Sequence, residues 1–417
     1  MKTKFIGPIR DQLNSNKVLL FGLRTRDGDT KTPDPQGSMP FKGIEADATG
    51  IDFVGNQFVI PLRSGRNQGV GSRPQGGALP AAGNQAYLSL NEPLRFHYGA
   101  FNISGQLLKA SESTEGAFER ALTAEMEGVT DDLKRKINID AYGAGLGTLT
   151  TITTGTTSAT QTVGTTVMFQ GGELINIYDT TGTTLRNISG PLTVNSYVRS
   201  TLQMTFSASV ATTTNDILVR ASSDSTSTAP SDDKGNVING LQNIVLNSGT
   251  LHGLNPTNAG QTFWASQYIN AAGAIIGENL LRQVKDAVGF ESGSDEEAIW
   301  ITTRGIRNRF ANTLTSVKRF NDGQAVTLRG GFKAILFDDQ AMVIDDMCPL
   351  GQAFFLNTDA FFWSQMSDWE WMEEDGKTLK WQIGRDSYIG YLFKYCQLGT
   401  WARNRHGRLY GGSDDVK

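Results

Sequence analysis

The sequence predicts an α+β fold that carries a small β-barrel or β-sandwich as an insertion. Two observations support this class: a long helical stripe of apolar residues ends near residue 142, and helices alternate with strands after residue 237. A third, the abrupt change to Thr-rich sequence over 148–166, marks the start of the insertion. The 417 residues are enough for about two to three domains, or for one large domain with insertions, and the core needs neither disulfides nor metal ions.

The composition excludes several classes of protein. A net charge of −4 with 19% charged residues argues against a coat that binds nucleic acid by neutralising phosphates throughout. Two cysteines and three histidines cannot supply a disulfide framework or a zinc site with the usual ligand number, so we expect no metal and no cofactor. The first residues are basic but lack the apolar stretch of a signal peptide. The sequence also contains no run of about 18 apolar residues, so it predicts no membrane-spanning helix.

The first 110 residues predict an arm followed by a projecting hairpin. Prolines and glycines interrupt 1–50, which we interpret as an extended arm. Within 51–110, strand-like runs at 53–54, 58–62, 87–90 and 94–98 flank a Gly-rich loop. A loop of this length favours a hairpin that meets another molecule. The only charged residues in 58–85 are Arg63, Arg66 and Arg73.

The clearest helix is predicted over 114–142. Apolar residues recur every three or four positions along one stripe: Phe118, Leu122, Met126, Val129, Leu133 and Ile137. The other face of the helix carries the acids Glu125, Glu127, Asp131 and Asp132, and Gly143 follows the last turn.

The remaining elements divide into an insertion and an α+β region. Runs at 173–178, 192–194, 202–206 and 217–220 predict four short strands within the insertion. From residue 237 the pattern predicts helices at about 275–288 and 303–314, then strands at 333–337, 341–344 and 353–356. Asp375-Gly376 predicts a tight hairpin between 369–372 and 379–383, and strands at 388–393 and 398–403 follow.

Signals of catalysis are weak. The sequence lacks a Gly-Lys-Ser/Thr phosphate loop, a Gly-x-Ser-x-Gly elbow and a His-Glu-x-x-His motif. A cluster of tryptophans, Trp363, Trp369, Trp371 and Trp381, lies beside Glu370, Glu373, Glu374 and Asp375. Stacking platforms with paired carboxylates suit a glycoside hydrolase or a sugar-binding groove. The plainer interpretation is that Trp369 and Trp371 pack in a core while the acids form a hydrated turn.

Two further groups allow a functional and a structural interpretation. The basic end, Arg403, Arg405, His406 and Arg408, could bind phosphate, although a solvated or subunit-facing strand end is the simpler interpretation. His97 lies between Phe96 and Tyr98 on a predicted strand, where a structural histidine is favoured over a lone metal ligand.

The order of these parts resembles the major capsid proteins of tailed bacteriophages with the HK97-like fold. Three stretches are similar to that family: 101–106 leading into the helix 118–142, 349–357, and the run from Asp386 to Asn404. The resemblance implies a name for each part of the chain. These are an N-terminal arm (1–50), an E-loop (51–110), the spine helix of the P-domain (111–147), an inserted domain (148–235), the A-domain (236–345) and a return to the P-domain (346–417).

The resemblance also implies a function. The chain is expected to be a structural protein rather than an enzyme, and to assemble into pentamers and hexamers of an icosahedral head shell. Its partners would be other copies of itself, a portal, scaffolding and decoration proteins, and double-stranded DNA enclosed without sequence-specific binding. It would assemble in the bacterial cytoplasm and reside in the virion capsid. A glycan-acting protein built on the tryptophan cluster and a phage tail or decoration protein are the alternatives.

Within this family the sequence allows expectations about assembly. The arm 1–50 should lie on a neighbouring subunit, and no N-terminal maturation cleavage is expected. No lysine lies between Lys42 and Lys109, so the E-loop lacks the amine that some family members join to an Asn of a neighbour. Arg63, Arg66 and Arg73 should meet Glu125, Glu127, Asp131 and Asp132 of an adjacent subunit. The alternative is that the arginines only keep the loop soluble.

Overall fold

The computed structural model describes residues 52–54, 57–65, 67–106, 115–222, 231–292, 298–317, 326–327, 333–338, 340–373 and 376–414. The predicted arm 1–50, Arg66, Glu374 and Asp375 lie outside these residues, as does the side chain of Phe118.

The helices are α1 (Glu115–Tyr142), α2 (Leu241–Ile244), α3 (Glu278–Ser292) and α4 (Arg304–Val317), with short 3₁₀ turns at Thr262–Trp264, Thr358–Ala360 and Arg403–Arg405. The strands are β1 (Asp52–Val54), β2 (Gln57–Gly65), β3 (Ala86–Pro93), β4 (Arg95–Ser104), β5 (Thr148–Thr154), β6 (Thr157–Val163), β7 (Leu174–Tyr178), β8 (Leu192–Val198), β9 (Gln203–Ala211), β10 (Ile217–Arg220), β11 (Gln267–Asn270), β12 (Ala298–Thr302), β13 (Val326–Thr327), β14 (Lys333–Phe337), β15 (Gln340–Ile344), β16 (Ala353–Asn357), β17 (Phe361–Trp371), β18 (Leu379–Trp381), β19 (Ser387–Thr400) and β20 (His406–Tyr410). Among the described residues, no helix has both the length and the apolar character needed to cross a bilayer.

Strands β1, β2 and β3 form an antiparallel sheet that we call the hairpin arm, together with the loop 67–85. Ile60 and Leu90 face each other across β2 and β3 and are buried in the main core, so the base of the arm is anchored. The strands are longer than the apolar runs predicted because the backbone pairing continues through polar positions as far as Gly65 and Ala86.

Helix α1 packs on a sheet formed by β4, β17, β18 and β19. Leu122, Met126, Leu133 and Ile137 are buried in the core between them, and Val129 packs against it partly exposed. Gly99 on β4 allows the helix to approach closely, because a Cβ there would lie 2.5 Å from Leu133 Cδ1 and 2.7 Å from Val129 Cγ1.

The predicted insertion forms a closed barrel in the strand order β10-β5-β6-β9-β8-β7. The sequence predicted four of its six strands and left open whether they formed a barrel or a sandwich. The two strands that were missed, β5 and β6, are the Thr-rich stretch, whose few apolar side chains do not alternate regularly. Ile152 and Val163 pair across these strands and point into the barrel core.

A seven-stranded mixed sheet in the order β11-β20-β16-β12-β15-β14-β13 forms the third region. Its core combines strand residues such as Trp300 and Phe355 with Leu281 and Val284 of α3 and Phe310 of α4. The predicted helices are present, although α3 begins and ends three to four residues later than the apolar spacing suggested.

The predicted hairpin at Asp375-Gly376 is wrong. Strand β19 pairs with β17 through Leu392↔Trp371 and with β18 through Tyr388↔Trp381, whereas β4 takes its opposite edge. The two segments expected to pair with each other therefore lie end to end along one side of β19. The tight connection is instead between β18 and β19, where the Gln382 amide donates to the Ser387 carbonyl at 3.0 Å.

Candidate assembly surface

The loop of the hairpin arm has little surface of its own to bury. Most of 67–85 is exposed, including Val70 (84%) and Leu79 (87%). The two sides of the loop run close together, because a Cβ on Gly69 would lie 2.7 Å from the Ala81 carbonyl oxygen. In a single chain these two apolar side chains are therefore in contact with water.

Two of the three arginines predicted at the arm, Arg63 and Arg73, lie within the described residues. Arg63 is exposed on β2 opposite Tyr87, and Arg73 is exposed at the loop, where its guanidinium donates to the Ser72 carbonyl at 3.0 Å. Among the described residues, no carboxylate forms an ion pair with either arginine. The structure thus does not bring them to the acids of α1 within one chain.

The acids of α1 lie on the exposed face of the helix. Glu125, Glu127 and Asp132 are exposed, and so is Asp131, which accepts from Lys134 Nζ at 2.9 Å. Because Lys134 neutralises Asp131 in part, the other three carboxylates carry most of the negative charge available to a partner.

A buried polar network that the sequence analysis missed holds the base of the arm. Glu92 of β3 accepts from Asn239 Nδ2 at 2.7 Å, from Gln397 Nε2 at 3.3 Å and from His252 Nδ1 at 2.9 Å. The network joins the arm to β19 and to the segment around α2. One signal was present in the sequence: Glu92 is the only acid within 53–111.

The orientation of the network follows from its backbone donors. His252 Nε2 accepts from the Thr400 amide at 3.2 Å, so the ring proton is on Nδ1 and is donated to Glu92. Gln397 Oε1 accepts from the Asn239 amide at 2.7 Å, which leaves its Nε2 to donate toward Glu92. Each side chain therefore has one arrangement that satisfies its neighbours.

The tryptophan cluster is not a sugar platform. Trp363, Trp369 and Trp371 are buried in the main core, and Trp371 packs edge-on against Phe101 at 5.4 Å between ring centroids. Only Trp381 of the four is exposed. The glycan-binding alternative needs these rings at a surface, so burial of three of them removes its basis and agrees with the plainer interpretation.

Three of the four residues of the basic end, Arg403, His406 and Arg408, are buried and therefore not open to phosphate. The Arg403 side chain is fully buried and donates to the backbone carbonyls of Ile244, Gly249, Asn243 and Ser248 at 2.9–3.1 Å. Burial lowers its pKa to about 10. His406 and Arg408 are buried as well: His406 Nε2 lies 3.1 Å from Thr400 Oγ1, and Arg408 donates to Gln352 Oε1 at 3.0 Å and to the Gln242 carbonyl at 3.3 Å. Arg405 is partly exposed, with its guanidinium over the Trp401 ring.

Burial shifts the pKa values of several titratable groups in the described residues. Burial, with the nearby positive charges of Lys136, Lys394 and Arg95, lowers the pKa of His97 to about 3, and its Nε2 has no hydrogen-bond partner. Burial raises the pKa of the Cys396 thiol to about 12. In the part of the chain that the structure describes, no three His, Cys, Asp or Glu side chains are grouped as metal ligands.

When the fold of this chain is compared with solved structures, the matches include the capsid proteins of phages. The capsid of cyanophage A-1(L) matches with a TM-score of 0.52 and 12% identity, over 86% of this chain and 89% of that chain. The chain has the fold of a tailed-phage capsid protein. This is the HK97-like fold that the resemblance in the sequence implied.

Two more of the matches are weaker. The capsid of a native GTA particle has a TM-score of 0.45 at 12% identity and covers 86% of each chain. Mycobacterium phage Patience has a TM-score of 0.41 at 9% identity, over 86% of this chain and 81% of that chain. No protein-family model and no curated protein sequence matches the chain. The assignment of the capsid fold therefore rests on the three-dimensional arrangement rather than on sequence identity.

Proposed function

We propose that this protein is the major capsid subunit of a tailed DNA phage. Copies of it would assemble as pentamers and hexamers into an icosahedral shell around double-stranded DNA, in the bacterial cytoplasm, with portal and scaffolding proteins as further partners. The observation that carries the proposal is the agreement in fold with a capsid subunit along nearly the whole of both chains.

In this proposal the hairpin arm is the E-loop and α1 is the spine helix. The exposed loop 67–85 supports the assignment, because a single subunit leaves its apolar side chains in water. The role is structural and not enzymatic, and the net charge of −4 suits a shell that encloses DNA without binding it along its whole surface.

We place one contact between subunits at the arm. Arg63, Arg66 and Arg73 of one subunit would meet Glu125, Glu127, Asp131 and Asp132 of the next. Three observations support this: Arg63 and Arg73 are exposed, the arm offers no carboxylate within 58–85, and the acids occupy the outer face of α1.

The test of the shell function is assembly of the full chain. The purified protein should elute as capsomers or larger particles in size-exclusion chromatography, and electron microscopy should show rings or closed shells. A protein that elutes only as a 45.3 kDa monomer, with and without a co-expressed scaffolding protein, would contradict the proposal.

A further inference from the structure

Strand β17 holds a polar side chain in the core and an apolar one outside at two adjacent positions. Gln365 is 8% exposed, whereas Met366 is 52% exposed. Successive side chains of a strand point to opposite faces of the sheet. The core-facing position therefore carries the amide and the outward position carries the thioether, which is the reverse of what their chemistry favours.

Gln365 gains no hydrogen bond from its burial. Neither its Oε1 nor its Nε2 has a hydrogen-bond partner within the part of the chain that the structure describes. The side chain lies opposite Cys396 of β19, and Arg95 of β4 lies opposite Cys396 on the other side. Because buried polar groups are ordinarily paired, an amide with both ends unpaired indicates local strain.

The pairing of β17 with β19 is irregular at the same point. Gln365 pairs with Cys396, but the preceding residue of β19, Tyr395, pairs with Ser367. Met366 has no register partner on β19 and is the extra residue of a β-bulge. Such a bulge changes the direction of the side chains beside it.

Moving the bulge by one residue would exchange the two side chains. Met366 would then pair with Cys396, and Gln365 would become the extra residue. The pairs on either side, at Ser364 and Ser367, would stay as they are. Since a shift by one residue reverses the face to which a side chain points, Met366 would turn to the core and Gln365 to the outside.

Size and surroundings make both arrangements accessible. Methionine and glutamine side chains are unbranched and similar in length, and methionine adapts to irregular space in a core, so Met366 fits where Gln365 lies. The second arrangement removes an unpaired amide from the core. The first is favoured by polar neighbours, because Arg95 and Lys394 lie next to the Cys396 position on β4 and β19. An amide is less costly beside them than among aliphatic side chains.

We propose that β17 switches between two registers at this bulge: the observed one, with Gln365 opposite Cys396, and a second one, with Met366 in that place. The switch changes the outer surface of the sheet at this point from a thioether to an amide. A partner that binds one of these surfaces selects the matching register through its difference in affinity for the two. The proposal is independent of the shell function, because it concerns strand pairs within one chain.

Oxidation of Met366 by hydrogen peroxide reports the register. Peroxide transfers one oxygen atom to the thioether and leaves water, at a rate that depends on the exposure of the sulfur. The soluble full-length chain is treated with peroxide for increasing times, quenched and digested, and the sulfoxide at position 366 is quantified by mass spectrometry. Two variants bias the switch in opposite directions. Gln365→Leu places an apolar side chain opposite Cys396 and favours the first register. Gln365→Lys would add a positive charge beside Arg95 and Lys394, and therefore favours the second.

We expect Met366 to oxidise faster than in the wild type in Gln365→Leu and more slowly in Gln365→Lys. The two variants should differ by about tenfold, because oxidation in the second register proceeds only through the minor population with Met366 outside. Met372, half-buried and next to the end of β17, is the internal reference and should oxidise at one rate in all three proteins. Circular dichroism shows which variants fold; if Gln365→Lys does not, the wild type and Gln365→Leu decide the result. Equal rates at Met366 in every protein that folds, a change in the opposite direction, or an equal change at Met372 would overturn the proposal.

Discussion

Glu92 shows how one buried residue can determine the attachment of a projecting arm. Its two carboxyl oxygens accept three side-chain hydrogen bonds, and the backbone amides of Thr400 and Asn239 fix the partners His252 and Gln397 in their orientations. If one of these oxygens were replaced by a hydrogen-bond donor, neither His252 nor Gln397 could rotate to offer it an acceptor, because both are held by the backbone amides.

Glu92→Gln is therefore expected to destabilise the protein although it preserves shape. The NH₂ group of the new glutamine would point at a hydrogen-bond donor instead of an acceptor. A buried polar group that loses its hydrogen-bond partner in this way costs about 1–3 kcal/mol of stability. Chemical denaturation monitored by circular dichroism should show the lower free energy of unfolding. The control Glu127→Gln, on the exposed face of α1, should leave stability unchanged. Equal stability of the two variants would mean that the network adapts.

A second expectation at this scale concerns covalent bonds between subunits. The arm has no lysine between Lys42 and Lys109, and an arginine cannot serve as the nucleophile because its guanidinium remains protonated. Particles boiled in detergent should give one band near 45.3 kDa in gel electrophoresis. A ladder of multimers would show that another lysine forms isopeptide bonds.

At the scale of elements, the sequence pattern predicted an element correctly where the residues of that element alone determine how it folds. The apolar stripe from Leu122 to Ile137 predicted α1 because every member of it faces the same sheet. The Asp375-Gly376 hairpin failed because β19 competes for both of its predicted strands. Glu92 and Arg403 were not predicted as buried groups, because their partners lie far away in sequence and only the tertiary fold brings them together.

The end of α1 shows the same dependence on a distant segment. Gly240 precedes α2 and lies against the last turn of α1, so that a Cβ there would lie 2.5 Å from the Asp140 carbonyl oxygen and 2.6 Å from the Gly143 amide nitrogen. These are backbone atoms, which cannot move aside as the end of a flexible side chain can.

Two Gly→Ala substitutions test this packing with opposite expected signs. Gly240→Ala should destabilise the protein by about 1–3 kcal/mol or more through overpacking. Gly128→Ala lies in the exposed middle of α1 with open space around it, and should stabilise by about 0.5–1 kcal/mol through helix propensity. Thermal or chemical denaturation of both variants measures the difference. A neutral Gly240→Ala would indicate that α2 can separate from α1 without loss.

At the scale of the whole molecule, the barrel is connected to the rest of the chain through a narrow base. The Gly235 amide donates to the Leu146 carbonyl at 3.2 Å, so the chain enters and leaves the barrel at adjacent points. Lys136 of α1 forms ion pairs with Asp140 at 2.5 Å and with Asp233 at 3.1 Å at the same place. Ile139 of α1 also packs in the barrel core.

Removal of the barrel should therefore leave a protein that still assembles. The excision has to span 148–232, with a short Gly-Ser linker from Gly147 to Asp233. All six strands must be removed together, because β5 pairs with β10 and β6 pairs with β9. Ile139→Gln in the same variant would avoid an exposed apolar residue. Electron microscopy should show shells, at reduced yield. An insoluble remainder would make the barrel necessary for folding of the whole subunit.

The stability of the shell should depend on the arginines of the arm. Arg63→Gln with Arg73→Gln removes two exposed charges, and each exposed ion pair is worth only about 0–1 kcal/mol. Because every subunit repeats the contact, the midpoint of shell disruption should fall measurably in temperature or denaturant, while helix content stays constant. The difference from the parent should shrink with added salt, since salt screens exposed charges.

A double-mutant cycle separates this interface from a simple effect on solubility. Glu125→Gln with Glu127→Gln should lower the midpoint by a similar amount, and the combined variant should lose little more, because each change already breaks the same pairs. Arg199→Gln, an exposed arginine on the barrel, is the matched control and should leave the midpoint unchanged. If the arm variant behaves like this control at low salt, its arginines are solvated and the contact with α1 is wrong. If the two effects add in full, both surfaces contribute to the shell but do not meet.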